Sequence, residues 1–362
     1  MNLRYFLYAF FLSAGLLFLA TSCEKDNPLP GESKVEEADP EPTPYSLEIP
    51  TGFPNYLPAN DNPLTLEGIE LGRKLFHDPI LSKNNKQSCA GCHDQNIGFT
   101  DAKRFSIGVE GKPGVRNSMA LVNLAWRRNF FWDGRASSLE EQAFDPVRDP
   151  LEMNTTWPEV EDKLNDNAEY RELFRLAFGV DRIDSNDVVN ALAQFERTLI
   201  SANTKFDKHL QGQNVFTDLE QAGFDLFVSE EADCFHCHNG VFMSDNTFRN
   251  NGLQDPIKDE GLGGVTGRQR DVGKFIVPTL RNIEKSAPYM HDGRFQTLRE
   301  VIDFYSDGVQ QNSPNVDPVM LKANRPGGSL GLTDYQKEAL IAFLKTLTDE
   351  EYLNEPRFSD PD

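Results

Sequence analysis

Positive charge is scarce in this 362-residue sequence, which has 36 Lys and Arg against 57 Asp and Glu and a formal net charge of −21 at pH 7. Binding to nucleic acid needs clustered Lys and Arg, so this composition excludes a nucleic acid as partner. A basic protein or a neutral small molecule suits such a surface better. Long apolar runs are also lacking after the N-terminal 22 residues, so we expect no membrane-spanning helix beyond them.

Alternating apolar and polar residues, which mark half-buried strands, are few, whereas helical signals are frequent. One apolar stripe at helical spacing consists of Val188, Leu192, Phe195 and Leu199. Capping boxes stand at 217–220 and 333–336, each ahead of an apolar run. The length fits about two domains of roughly 150 residues each. We therefore predict a mainly α-helical protein with long loops.

The N-terminal 22 residues are typical of a signal peptide. They contain one charged residue, Arg4, and an apolar run at 5–20 that is short for a membrane span. Small residues precede Cys23, which resembles a bacterial lipobox, where the cysteine becomes lipidated; the alternative is an ordinary signal peptide with an incidental cysteine. Residues 23–45 are rich in Pro, Glu and Asp and predict a disordered tether. We expect an exported, periplasmic protein that is held at a membrane only through a lipid on Cys23.

Cysteine is also rare, and the five cysteines are unevenly placed. One stands alone, and the other four lie in two Cys-x-x-Cys-His motifs at 89–93 and 234–238. This layout argues against a disulfide framework and is the attachment pattern of c-type haem, in which two thiols bind the porphyrin and the adjacent histidine binds iron. Zinc held by four cysteines and a thioredoxin-like dithiol are the alternatives, but neither needs the two histidines. We predict two covalent haem c groups, held by Cys89, Cys92, His93, Cys234, Cys237 and His238.

The sequence around the two motifs is repeated. Trp-Asp-Gly-Arg at 132–135 and His-Asp-Gly-Arg at 291–294 lie 159 positions apart, and each is followed by a Ser-Leu or Thr-Leu pair. This period is far too long for a solenoid. We predict two related haem domains at 46–204 and 205–352, followed by a tail at 353–362.

These motifs, with Pro-Thr-Leu-Arg-Asn at 278–282 and Pro-Tyr-Met-His-Asp-Gly at 288–293, resemble those of the bacterial di-haem cytochrome c peroxidases and their MauG relatives. The resemblance runs from about residue 60 to residue 350. It implies two cytochrome c-like helical domains with one covalent haem each. It also implies that one haem is open to peroxide and that a second, six-coordinate haem passes electrons to it, with a tryptophan and a calcium ion between them.

The resemblance assigns peroxide to the first haem, at Cys89 and Cys92. Where the peroxidases often carry a displaceable histidine ligand, this sequence has Val109, so we expect a five-coordinate first haem. Glu152 stands at the position of the family's catalytic acid–base group, and its alternative is a solvated loop carboxylate. Two further positions of the family's distal pocket fall on Gln142 and Pro146.

The resemblance gives the other residues their roles around the second haem. Trp132 matches the inter-haem tryptophan, and its alternative is a core aromatic. Tyr305 stands where the peroxidases have a methionine ligand and MauG proteins have tyrosine; Met243 and Met290 are the alternatives for the sixth ligand. His291 supports the second haem pocket. The calcium positions fall on Asn117, Ser286 and Pro288.

Three functions are compatible with these residues. The predicted one is a cytochrome-c peroxidase that reduces hydrogen peroxide to water with electrons from a small periplasmic redox protein, a cytochrome c or a cupredoxin. The second is a MauG-like oxidase acting on a protein or organic substrate, which Val109 and Tyr305 favour. The third is a non-catalytic electron carrier, against which Glu152 and the open first haem argue. Formation of a homodimer is left open.

Overall fold

The structure is a computed structural model that describes residues 41–57, 61–213, 215–322 and 328–361. The predicted signal peptide, Cys23 and the tether up to residue 40 lie outside the described residues. The end of the predicted tether is hydrogen-bonded to the folded chain. The backbone N–H of Tyr45 donates to the carbonyl of Leu64 at 2.8 Å, and that of Leu66 donates to the carbonyl of Thr43 at 2.9 Å. The folded chain therefore begins a few residues before the predicted end of the tether at residue 45, because the backbone groups of Thr43 and Tyr45 are already hydrogen-bonded to it.

Helices carry most of the regular structure in the described part of the chain. The α-helices are α1 (Leu66–His77), α2 (Leu139–Arg148), α3 (Trp157–Asp166), α4 (Ala168–Phe178), α5 (Ser185–Arg197), α6 (Lys205–Lys208), α7 (Asp218–Phe227), α8 (Leu262–Thr266), α9 (Leu298–Asp303), α10 (Pro318–Leu321), α11 (Asp334–Lys345) and α12 (Glu350–Leu353). Short 3-10 turns lie at Pro79–Leu81, Cys89–Gly91, Gln95–Ile97, Leu124–Trp126, Cys234–His236, Gln269–Asp271 and Pro356–Phe358, and π-helical turns at His209–Gln213 and Phe304–Gly308. Within the described ranges the only sheet has two antiparallel strands, β1 (Phe248–Arg249) and β2 (Phe275–Ile276). The predicted mainly helical fold is confirmed.

The first core forms where α1 crosses α5, with α2, α3 and α4 packed around them. The contact is close because α1 carries Gly72 there, where a Cβ atom would lie 2.0 Å from the carbonyl oxygen of Ala191 on α5. All four residues of the predicted apolar stripe, from Val188 to Leu199, are at most 3% exposed. The stripe is confirmed, although α5 itself ends at Arg197.

The second core repeats this arrangement. Helix α7 crosses α11 through Gly223, where a Cβ atom would lie 1.9 Å from the carbonyl oxygen of Ala339. Both predicted capping boxes are present, at Thr217 before α7 and at Thr333 before α11. Since each half has one glycine-mediated helix crossing of the same kind, the halves are structural repeats.

In each half, a turn between the two crossing helices also repeats. Phe130 pairs with Ala136 in an isolated β-bridge, and Tyr289 pairs with Phe295 in another, 159 positions later. Helix α2 and helix α9 then begin directly after these turns. The predicted duplication is confirmed in the backbone, while the exact limits of the two predicted domains stay predictions.

The C-terminal residues pack on the first core. Tyr352, Leu353 and Phe358 are at most 5% exposed and belong to the same apolar cluster as the residues of α1 and α5. The side-chain amide of Gln95 donates to the carbonyl of Glu355 at 2.9 Å. The segment predicted as a tail is therefore part of the fold, because it removes an aromatic side chain from water and covers the first half.

The described residues belong to one compact unit. None of their helices combines the length and the apolar character that crossing a membrane requires.

Candidate functional site

Each Cys-x-x-Cys-His motif opens with one 3-10 turn that starts at its first cysteine. The backbone N–H of His93 donates to the carbonyl of Cys89 at 2.9 Å, and that of His238 donates to the carbonyl of Cys234 at 3.0 Å. Both loops therefore fold back in the same way and bring the histidine next to the first thiol of its motif.

Both motif histidines are held through one ring nitrogen. His93 Nδ1 lies 2.9 Å from the carbonyl oxygen of Phe99, and His238 Nδ1 lies 3.2 Å from that of Met243. Burial lowers the pKa of both imidazoles, which keeps them neutral. A carbonyl partner on Nδ1 fixes the tautomer and leaves Nε2 as the metal-binding atom. This geometry fits two histidine ligands of haem iron.

A large cavity adjoins the second motif. Its empty space is about 1830 Å³, part of it open to solvent, and its lining includes Cys234, Cys237, His238 and Tyr305. Most of the other lining side chains are apolar, such as Ile302 and Leu340. This mostly apolar lining beside both thiols and the histidine suits a large, largely apolar group such as a porphyrin.

The thiols do not have the properties of a redox dithiol. None of the four is in a disulfide. Burial raises the pKa of Cys234 to about 12 and that of Cys237 to about 11, and it also raises the pKa of Cys89 and of Cys92. Reactive dithiols instead have a lowered thiol pKa. The thioredoxin-like alternative therefore lacks structural support.

A zinc site made of four cysteines is also absent from the described residues. Their one close group of metal-binding side chains consists of Glu230, Asp233 and His236. No thiol belongs to it, and Asp233 already forms an ion pair with Lys322. The four thiols therefore do not converge on one ion, and haem attachment is the arrangement that they fit.

Two predicted distal residues of the first haem lie on α2, and the third, Glu152, follows its end. Gln142 and Pro146 lie four residues apart on this helix and so share a face. After the helix the chain turns back, and the N–H of Met153 donates to the carbonyl of Pro146 at 3.1 Å. This turn brings the segment that carries Glu152 back to the end of α2 at Pro146.

The loop that carries Val109 packs directly on Glu152. The N–H of Val109 donates to the carbonyl of Glu152 at 2.8 Å. A Cβ atom on Gly108 would lie 2.0 Å from the carbonyl oxygen of Leu151, so glycine permits this close approach. Since valine has no atom that binds iron, position 109 supplies no ligand.

The carboxyl of Glu152 has a strongly shifted pKa. This pKa is raised to about 7, chiefly by burial; the negative charges of Asp149 and Asp145 also raise it, and the positive charge of Arg135 lowers it. Glu152 also acts electrostatically on both thiols of the first motif, so it lies within range of the first haem site. A carboxyl with a pKa near 7 can both take and return a proton at neutral pH.

A second buried acid beside the first motif is not predicted from the sequence. Glu196, on α5, is 7% exposed, and burial raises its pKa to about 8. Its charge raises the pKa of Cys89. The helical stripe predicts which apolar residues of α5 are buried, but it gives no sign that this neighbouring acid is buried as well.

Trp132 lies at the junction of the two halves. Its indole N–H donates to the carbonyl of Asn117 at 2.8 Å, and its ring centre is 6.4 Å from that of His291. The residue after Asn117 reaches the first site, since Ser118 Oγ lies 3.4 Å from His93 Nδ1. Trp132 also lines the cavity of the second motif. The indole therefore stands between the first histidine ligand and the second cavity.

His291 also lines the cavity of the second motif. Its ring stacks on Phe275 at 3.7 Å, and its backbone carbonyl accepts from the N–H of Asn117 at 2.8 Å. Burial lowers its pKa to about 4, so the ring is neutral at pH 7. These contacts make it part of the wall between the halves.

The candidates for the sixth ligand of the second haem are reduced to two. The carbonyl of Met243 binds His238 Nδ1, so Met243 lies on the histidine side, whereas the sixth ligand must come from the opposite side. The Tyr305 hydroxyl accepts from Asn251 Nδ2 at 3.1 Å, and Met290 Sδ lies 3.7 Å from the same nitrogen. Burial raises the pKa of Tyr305 to about 12. Tyr305 belongs to a π-helical turn, a distortion frequent at functional sites.

The three predicted calcium positions also line this cavity: Asn117, Ser286 and Pro288. The amide nitrogen of Asn117 donates to the carbonyls of Lys103 and Arg104 at 3.2 and 3.4 Å, which leaves the amide oxygen for a cation. These residues offer oxygens but no carboxylate, and calcium stays a prediction.

Two polar residues that line the second cavity lie outside the motifs identified in the sequence. One is Asn251, the donor to Tyr305. The other is Arg127, whose Nε and Nη2 atoms are buried without a hydrogen-bond partner among the described residues. An orphaned guanidinium at a cavity wall is consistent with an anionic group bound there.

Comparison with known proteins agrees with this geometry. The family model for di-haem cytochrome c peroxidase matches residues 66–215. The chain is 35% identical to the cytochrome c551 peroxidase of Nitrosomonas europaea over 80% of this chain and 82% of that protein. It is 34% identical to the methylamine utilization protein MauG of Methylophilus methylotrophus, over 81% and 86%. The solved structure of a MauG-like protein associated with microbial copper homeostasis matches at a TM-score of 0.79 and 36% identity, covering 88% of this chain and 99% of that one.

Proposed function

The chain belongs to the family of di-haem cytochrome c peroxidases and MauG proteins, and from this we propose that it is a peroxidase that reduces hydrogen peroxide to water. Membership implies two haem c groups, a peroxide substrate and a redox protein as electron donor. In the proposed reaction one peroxide takes up two electrons and two protons and yields two waters. The electrons come from a small cytochrome c or a cupredoxin.

The observation that carries this proposal is Glu152. A carboxyl whose pKa burial raises to about 7 stands within electrostatic range of the first haem thiols. The loop against it presents Val109, which cannot close the site as a ligand. An electron carrier needs neither a titrating carboxyl nor an open position, whereas a peroxidase needs both.

Cys89, Cys92 and His93 would hold the first haem, which would supply the iron for binding peroxide and electrons for cleaving its O–O bond. Glu152 takes the proton from the near oxygen of peroxide and returns it to the departing oxygen. Gln142 and Pro146, on the same helix face, border this space. The two protons that complete the waters enter from solvent.

Trp132 is the proposed relay between the halves. Its indole lies between the first histidine ligand and the second cavity, and its N–H is fixed on Asn117 at 2.8 Å. Cys234, Cys237 and His238 would hold the second haem in the cavity that Tyr305 also lines, and this haem would be the point of entry for electrons. We also propose that the mature protein is exported and held at a membrane through Cys23, where an acidic surface suits a basic donor.

Steady-state reduction of peroxide tests the proposal. The chain loaded with both haems is mixed with ferrous cytochrome c or reduced cupredoxin, and the loss of peroxide and the oxidation of the donor are followed together. We expect continuous turnover with two donor molecules oxidised for each peroxide. A fully loaded protein that oxidises no donor above the uncatalysed rate would contradict the proposal.

A MauG-like oxidase is the second candidate, and Tyr305 in the second cavity favours it. In that case the same assay would show peroxide consumption that depends on an added organic or protein substrate rather than on the redox donor. The two outcomes separate the functions because the electrons come from different molecules.

A further inference from the structure

Arg127 belongs to the first half of the chain but lines the cavity of the second motif. It follows the 3-10 turn Leu124–Trp126 directly. Its guanidinium carbon lies 5.9 Å from the ring centre of Phe130, so the apolar ring covers one face of the charge. Its next neighbour, Arg128, is exposed. The two adjacent arginines are therefore in different surroundings.

The Arg127 guanidinium has no protein anion among the described residues. Its Nε and Nη2 atoms are buried and make no hydrogen bond there. Burial lowers its pKa to about 10, and no acid opposes this shift. The two fully buried arginines of the described chain are paired, Arg281 with Asp207 at 2.6 Å and Arg197 with Glu140 at 2.7 Å, whereas the partly buried Arg127 is not. A buried charge without a partner is costly.

The other cationic side chains at this cavity are already neutralised. Arg249 binds Asp245 at 2.7 Å and Asp317 at 2.8 Å. Lys322 forms an ion pair with Asp233. Among the described lysines and arginines of the lining, Arg127 alone lacks a carboxylate. An anion that enters this cavity therefore meets one unpaired cation, and that cation comes from the opposite half of the chain.

We propose that Arg127 binds a carboxylate of the haem that is attached at Cys234 and Cys237. Haem c carries two propionate groups, and the planar guanidinium matches a carboxylate with two parallel hydrogen bonds. Attachment through the two thiols and His238 fixes the haem to the second half. Arg127 adds an anchor from the first half, so the second haem also ties the halves together.

This anchor affects the electron affinity of the second haem. A positive charge at a propionate offsets the negative charge next to ferric iron and favours the ferrous state. Loss of Arg127 therefore lowers the midpoint potential of the second haem. The inference requires haem at the second motif but not peroxide turnover, so its failure is distinguishable from failure of the proposed function.

Redox titration of the complete two-haem protein tests the anchor, with Arg127→Gln, Arg127→Lys and Arg128→Gln compared with the wild type. We expect a lower potential of the second haem in Arg127→Gln, partial restoration in Arg127→Lys, and no change in Arg128→Gln, which removes the same charge at an exposed site. Resonance Raman should show altered propionate bending modes only in the two Arg127 variants.

Equal potentials in Arg127→Gln and Arg128→Gln would overturn the proposal. If Arg127→Gln does not accumulate with both haems, the midpoint potential and the resonance Raman spectrum of Arg127→Lys provide the test instead. A free anion is the other source of negative charge for Arg127. Redox titrations of the wild type and of Arg127→Gln at low and high phosphate separate the sources. A midpoint potential that changes with phosphate in the wild type but not in Arg127→Gln would assign Arg127 to a soluble ion and contradict the haem anchor.

Discussion

Glu152→Gln is expected to reduce peroxide turnover by about 10²- to 10⁴-fold, the contribution typical of a positioned acid–base group. The amide keeps the size of the side chain but cannot take the proton from peroxide and return it. Both haems should remain attached with unchanged resting spectra, since the attachment residues are not altered. The measurement is kcat/KM for peroxide together with the haem content of each preparation.

The pH dependence of kcat/KM in the wild type shows whether the protonated or the ionised form of Glu152 is active. The pKa of Glu152 is raised to about 7, so the carboxyl is protonated below that pH and the basic form is present above it. We therefore expect kcat/KM to rise with pH up to about 7 and then to level off, and this rise should be missing in Glu152→Gln. Glu110→Gln is the matched control, because Glu110 is an exposed acid on the same loop as Val109.

Glu196 provides the decisive comparison, because burial raises its pKa to about 8 at a position that also acts on Cys89. If the rise with pH persists in Glu152→Gln and disappears in Glu196→Gln, the proton-transfer role belongs to Glu196. Unchanged turnover in Glu152→Gln would likewise reject the role assigned to Glu152.

Tyr305→Phe is expected to remove the sixth ligand of the second haem. Phenylalanine keeps the ring but has no oxygen for iron, so that haem should change from low spin to high spin. Its potential should rise by on the order of 100 mV, because the negative phenolate stabilises ferric iron and axial ligands set haem potentials over about 0.8 V. Electron paramagnetic resonance and redox titration measure the two effects.

Met290→Leu is the matched control for this prediction. Met290 and Tyr305 contact the same amide nitrogen of Asn251, at 3.7 and 3.1 Å, so both lie on the side that the sixth ligand must come from. We expect Met290→Leu to keep the spin state. A low-spin second haem in Tyr305→Phe together with a spin change in Met290→Leu would assign the ligand to the methionine.

Attachment motifs are predictable from sequence because a covalent haem needs its thiols and histidine within five consecutive residues. The duplication is visible for a related reason, since the turn between Phe130 and Ala136 and its repeat 159 positions later require the same local residues. Helix caps such as Thr217 are likewise local, and they are correctly predicted.

Other parts of the site depend on contacts between distant positions, which a single sequence does not display. Asn251, for example, reaches Tyr305 across 54 positions. Arg127 and Arg128 are the same residue type side by side, yet one is turned into a cavity and the other into solvent. Only the packing of the two halves decides which arginine has its guanidinium nitrogens shielded from solvent.

The central claim is that the two repeated halves differ in what stands opposite each histidine ligand: Val109 and Glu152 leave the first haem open, whereas Tyr305 closes the second. Electron paramagnetic resonance of the resting ferric protein tests this directly. We expect one high-spin and one low-spin ferric haem in equal amounts. Two low-spin signals, with no high-spin component, would contradict it and would favour an electron carrier.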